Sequence, residues 1–139
     1  MPFFSESSLQ KLSTCHIDLQ TLFKEVIKIY DITILEGHRD KKLQDEAFKN
    51  GTSKLQWPNG KHNQIPSLAV DVAPYPIDWK NEKRFIELAS YTLGMAWRLN
   101  REGKISHNIK WGGNWDTIFS YNDKKHDLID LPHYEIVIK

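Results

Sequence analysis

Three residues spread along this chain have side chains that could jointly hold a metal ion. Asp71 is the most conspicuous, because it sits inside Leu68-Ala-Val-Asp-Val-Ala73. A carboxylate buried in such a run is costly unless it is paired or bound to a cation. On a strand, Asp71 shares its face with Ala69 and Ala73, while Val70 and Val72 turn the other way into a core. Two alanines beside a carboxylate leave room for a ligand. The alternative is an aspartate that caps a neighbouring backbone or pairs with an arginine. His62 closes a polar loop upstream, and His133 follows Asp130-Leu-Pro. Taken singly, each histidine reads as a solvated or structural residue. Taken together, two neutral imidazoles and a carboxylate suit zinc, and three protein ligands leave a fourth position open, as in catalytic sites. Asp130, three residues before His133, could move a proton to and from a reacting group. Arg39 could stabilise a developing oxyanion with its cationic fork, or form a surface ion pair with Glu36 or Asp40.

These residues need elements to carry them. Leu19, Leu22, Phe23, Val26, Ile27 and Tyr30 form one apolar stripe at helical spacing, with Asp18 as the expected N-cap. Residues 31–36, rich in β-branched side chains, read as a strand ended by Gly37. Asp40 is placed to cap a second helix running to about Asn50, with Gly51 just past its end. Residues 52–66 are polar and broken by Pro58, Gly60 and Pro66, so a loop is expected there. Residues 67–75 read as a buried strand and 81–100 as a long helix. Two more strands are expected at 109–112 and 133–139, the last with Tyr134, Ile136 and Ile138 alternating against His133, Glu135 and Val137. Helices with a few short strands predict an α+β fold with a small antiparallel sheet packed against helices.

At 139 residues, with no repeat or linker, the chain reads as a single domain over 1–139. Lysine plus arginine number 19 against 18 aspartates and glutamates. That balance argues against a nucleic-acid binder relying on phosphate contacts. The lone Cys15 excludes an internal disulfide and is expected in the core. No run of residues is long and apolar enough for membrane insertion, and the first residues lack the pattern of a secretory signal.

Several segments in order resemble the VanY-type metallopeptidases, especially the phage and bacillar L-alanyl-D-glutamate endopeptidases. They are His16-Ile-Asp-Leu-Gln20, Ile34-Leu-Glu-Gly-His-Arg39 with Gln44, and Asn50-Gly-Thr-Ser-Lys54. His62, Ala69-Val-Asp-Val-Ala-Pro74, Trp111-Gly-Gly-Asn-Trp115 and Asp130-Leu-Pro-His-Tyr-Glu135 complete them. The resemblance implies zinc (Zn2+) on His62, Asp71 and His133, Asp130 as general base and Arg39 assisting the transition state. It also implies that Gln44 and Trp115 contact substrate and that residues 111–115 shape the cleft floor. The fold it implies is that shared by hedgehog domains and D-Ala-D-Ala peptidases.

Two departures from the family pattern stand out. Asn114 replaces an aspartate. Gly60 replaces a serine that helps hold substrate, and His62 and Asp71 lie nine positions apart where the family has seven. A two-residue insertion in a loop is cheap in free energy. The remaining histidines, His16, His38, His107 and His126, are expected to be structural or on the surface.

The function implied is that of an endolysin-like zinc peptidase hydrolysing the L-alanyl-D-glutamate bond of the peptidoglycan stem by metal-activated water. The expected setting is a monomer held in the host bacterial cytoplasm and released to the cell wall by a holin. The alternatives are a D-alanyl-D-alanine carboxypeptidase or dipeptidase, and a non-catalytic zinc-containing binding domain.

Overall fold

The computed structural model describes residues 2–113 and 130–138, so Asn114, Trp115 and His126 lie outside the described residues. Helix α1 (Glu6–Ser13) and helix α2 (Ile17–Val26) lead into strand β1 (Ile32–Glu36) and helix α3 (Lys41–Lys49). A short 3-10 turn at Lys61–Asn63 precedes strand β2 (Ala69–Pro74). Helix α4 (Glu82–Arg101), strand β3 (Ile109–Trp111) and strand β4 (His133–Ile136) follow. The four strands form one sheet in the order β1-β2-β4-β3, and every neighbouring pair is antiparallel. The α+β expectation is met.

The two faces of the sheet have different jobs. Val70 pairs with Tyr134, which pairs with Trp111, and Ile34 pairs with Val72. These residues belong to the buried core, together with Leu19, Leu22 and Phe23 of α2 and Leu88, Leu93 and Leu99 of α4. Phe23 meets Tyr134 edge to face at 5.3 Å between ring centroids, an arrangement that adds to simple burial. The opposite face carries Asp71, His133 and Glu135, as the period-two pattern of β4 requires.

Helix α1 does not follow from apolar periodicity, since only Ser8 and Leu12 are buried along it. Its ends are fixed by local chemistry. Ser5 caps it by accepting the Ser8 N–H, and the Ser8 hydroxyl in turn accepts the backbone N–H of Ile34 at 3.0 Å. A helix side chain thus covers part of an edge strand. Helix α3 begins and ends as expected, with Asp40 accepting the Leu43 N–H and Gly51 at φ 79°.

The N-cap of α2 differs from expectation. His16, not Asp18, occupies that position, its Nδ1 accepting the Asp18 N–H at 3.0 Å. Asp18 instead lies buried in the first turn and accepts the backbone N–H groups of Ser106 and His107 and the His107 Nδ1–H. Its carboxylate is needed to tie down a distant loop, so the neighbouring imidazole takes over the cap. Among the described residues, no helix is long and apolar enough to cross a membrane.

Candidate metal centre

One row across the sheet assembles the site. Asp71 on β2 lies directly opposite His133 on β4 and, on its other side, opposite Glu36 on β1. The second pairing depends on a bulge. Ile32, Thr33 and Ile34 pair in step with Pro74, Ala73 and Val72, and the register then shifts between Ile34 and Glu36. Without the extra residue, Leu35 would face Asp71; with it, Glu36 does. A bulge that re-aims a side chain in this way is a recurrent feature beside functional sites. Two carboxylates directly opposite would repel, and Arg39 lies between them. Its Nε donates to Glu36 Oε1, and its Nη2 is 3.8 Å from Asp71 Oδ2. The arginine pairing considered for Asp71 therefore exists on one oxygen, while Oδ1 faces the histidines.

His62 reaches the same point from the loop before β2. Its segment is tied on both sides, by Arg39 N–H to His62 O at 2.8 Å and Leu68 N–H to Lys61 O at 3.0 Å. These bonds explain how a nine-residue separation still converges. The extra length is taken up between the turn and β2, after His62 has been fixed to the end of β1. Gly60 fits this local build. Its N–H donates to Asn63 Oδ1 at 2.9 Å, and a Cβ there would crowd the same oxygen at 2.8 Å.

The hydrogen bonds of the two rings decide which nitrogens face inward. His62 Nδ1 lies 2.7 Å from the Gly37 carbonyl oxygen, which can only accept, so Nδ1 carries the proton. His62 Nε2 is then a bare lone pair, buried, without a hydrogen-bond partner among the described residues, and 3.3 Å from Asp71 Oδ1. A lone pair facing a carboxylate oxygen is unfavourable unless a cation lies between them. His133 mirrors this arrangement. Its Nε2 is 2.8 Å from Glu135 Oε1, and its Nδ1 is 3.2 Å from Asp71 Oδ1. One donor atom each from His62, Asp71 and His133 lies within 4.8 Å of the others. This donor set fits zinc, and each imidazole has the outer partner that orients a metal-binding histidine.

The electrostatics agree. Burial alone would raise the Asp71 carboxyl, but the close approach of the His133 and His62 imidazoles outweighs it and holds the group far below the usual carboxylate range. Burial would likewise lower His133, yet Asp71 and Glu135 push it up to about 10. Surroundings that hold a proton this firmly on His133 would also stabilise a divalent cation. Asp130 moves in the opposite direction from Asp71. Burial raises it above the ordinary value, and the nearby Asp71 charge adds to that. Its Oδ2 is 3.9 Å from His133 Nδ1.

Asp130 is held by backbone. Its N–H donates to Gly112 O at 3.0 Å, Gly112 N–H donates to His133 O at 2.8 Å, and Trp111 Nε1 donates to Leu131 O at 2.7 Å. Any Cβ on Gly112 would fall inside van der Waals contact of the Asp130 carbonyl oxygen. The described part of the Trp111-Gly-Gly segment therefore positions Asp130.

Gln44 is only 1% exposed, and its amide is fully used. Its Oε1 accepts from Arg39 Nη1 at 2.9 Å and Asn63 Nδ2 at 3.1 Å, and its Nε2 donates to Ser53 Oγ and Leu55 O. With both lone pairs and both protons engaged, it has no hydrogen-bonding capacity left for substrate. It lines the cleft beside Arg39 and the loop that walls it, and its bonds hold both in place.

A cleft of about 250 Å³ opens over these groups, lined by Arg39, Lys54, Leu55, His62, Asp130 and Glu135 among others. His62, Asp71, His133, Asp130, Arg39 and Gln44 are thus brought together, and Trp115 lies outside the described residues. Sequence reasoning missed Asn63, Lys61 and Glu135. Glu135 carried a usable signal, since it shares the His133 face of a strand two residues on.

A second group, His16, Asp18 and His107, also brings three possible ligands together. Its hydrogen bonds point to a different role. His16 Nδ1 accepts a backbone N–H, which leaves the proton of a neutral ring on Nε2, and His107 Nδ1 is bonded to Asp18. The group acts as a structural staple, as expected for those histidines.

No curated protein matches the sequence significantly. Among solved structures, the chain resembles the Serratia marcescens L-Ala D-Glu endopeptidase ChiX, with a TM-score of 0.67 and 22% identity over 98% of this chain and 91% of that one. At that identity the likeness supports the fold. The model of the phage L-alanyl-D-glutamate peptidase family matches residues 1–137, nearly the whole sequence, and the chain belongs to that family.

Proposed function

We propose that this peptidoglycan peptidase hydrolyses the bond between L-alanine and D-glutamate in the stem peptide, using zinc held by His62 Nε2, Asp71 Oδ1 and His133 Nδ1. The observation that carries the zinc assignment is the buried His62 Nε2 lone pair set against the Asp71 carboxylate. Bound there, zinc would supply a Lewis acid for the attacked carbonyl and would make a water acidic enough to lose a proton near neutral pH.

The chain's own residues do the rest. The Asp130 carboxylate takes a proton from the attacking water and returns it to the leaving amine. Its raised proton affinity suits both halves of that transfer. Arg39, oriented by Glu36 and Gln44, offers its guanidinium to the oxyanion. Gln44 fixes that guanidinium instead of touching substrate. As part of the same reading, the protein works as a monomer on the wall after a holin releases it from the host cytoplasm.

Mass spectrometry of purified peptidoglycan digested with the zinc-loaded protein tests the bond assignment. New fragments with N-terminal D-glutamate, paired with L-alanine left on the glycan side, are expected. Release of D-alanine with intact L-Ala–D-Glu bonds would instead identify a carboxypeptidase.

A further inference from the structure

Lys61 immediately precedes His62, and Glu135 follows His133 by two residues on the same strand face. Their side chains join these two segments. Glu135 Oε1 is 2.8 Å from His133 Nε2, while its other oxygen, Oε2, is 2.8 Å from Lys61 Nζ. Lys61 Nζ also donates to the Ile136 carbonyl at 2.6 Å. The chain of contacts thus runs from the backbone beside His62, through an ion pair, into the imidazole of His133. Both Lys61 and Glu135 line the cleft, yet each has its polar atoms directed at protein partners there.

We propose that Lys61 and Glu135 are positioning residues for the metal centre, forming a strap that holds the two histidine-bearing segments at the separation the metal requires. The inference rests on the zinc site proposed above. Two physical points favour it. Glu135 fixes His133 with Nδ1 inward, and a carboxylate on the outer nitrogen also makes an imidazole a better donor. Lys61 engages the second oxygen of Glu135, which restricts rotation of the carboxylate about its own axis and ties the residue before His62 to β4.

The test measures zinc affinity by chelator competition on the full chain and on Glu135→Ala, Glu135→Gln, Lys61→Met and Lys61→Arg. Melting temperatures of the metal-free proteins and the visible spectra of the cobalt-loaded ones are recorded in parallel. Glu135→Ala should bind zinc about 10–100-fold more weakly, with an altered cobalt spectrum. Glu135→Gln, which keeps an acceptor but loses the charge, should fall between. Lys61→Met should weaken binding although Lys61 touches no proposed ligand, and Lys61→Arg should restore most of the loss. A merely structural ion pair would lower the metal-free melting temperatures and leave zinc affinity and the cobalt spectrum unchanged, which would overturn the proposal. If Glu135→Ala fails to fold, the Lys61 pair decides the matter alone. Absence of zinc binding by the unaltered chain would overturn the metal site itself, and the strap with it.

Discussion

Each of the two site histidines has one ring nitrogen committed to a protein acceptor, Gly37 O for His62 and Glu135 for His133. The other nitrogen of each ring faces inward, and both meet the same oxygen of Asp71. That is why residue types alone left structural readings open for all three. The deciding fact is which atom of each ring faces inward, and composition does not carry it. Asp130 is separable from this set, because it approaches His133 at 3.9 Å without completing the three-atom cluster. Asp130→Asn should therefore lower kcat on peptidoglycan by about 10²–10⁴-fold while zinc stoichiometry stays at that of the unaltered chain. Steady-state turnover paired with metal analysis checks this. Loss of zinc together with activity would make Asp130 part of the metal site instead.

At the level of elements, the strands and the two longer helices were legible from composition and period. Residues 31–36 are rich in β-branched side chains, and 67–75 read as a buried strand. Residues 133–139 alternate with a period of two, although the strand itself covers His133–Ile136, and residues 81–100 carry a helical apolar stripe. Helix α1 was not legible, since it buries one apolar side chain and is secured by serines. The cap of α2 was misplaced for a related reason. Both His16 and Asp18 can accept an N–H, and the choice depends on a loop 88 residues away that claims the aspartate. Strand order and the β1 bulge were equally hidden, being properties of pairing. The bulge nevertheless decides that Glu36, and so Arg39, meets Asp71. Gly112 is a further case where a backbone contact sets a side chain. Gly112→Ala forces its Cβ against the Asp130 carbonyl, so it should cost about 1–3 kcal/mol of stability. It should also depress kcat more than tenfold by displacing Asp130. Urea unfolding and turnover measured on the same preparation test both effects, and an alanine variant with normal kcat would remove Gly112 from the account.

On the scale of the whole molecule, the site couples stability to pH and to metal. Without metal, burial opposes the Glu135 charge, but His133 and Lys61 bring its carboxyl down to about 2 from 4.5. Its contribution is therefore complete above about pH 4.5 and disappears as pH falls through 2. His133, raised from 6.5 to about 10, contributes fully below pH 6.5 and loses its contribution as pH rises through 10. The metal-free protein should accordingly be most stable between about pH 4.5 and 6.5. Zinc needs the deprotonated ring, so its stabilising effect should grow as pH rises. At a free zinc concentration of 100 times Kd it should reach about 2.7 kcal/mol. Thermal melts with zinc and with chelator across that range check both slopes, and parallel pH profiles would contradict the assignment. The most direct measurement is anomalous diffraction at the zinc edge from a zinc-loaded crystal. The account predicts one peak about 2.0–2.2 Å from His62 Nε2, His133 Nδ1 and Asp71 Oδ1. A peak between His16, Asp18 and His107, or none at His62, would contradict it.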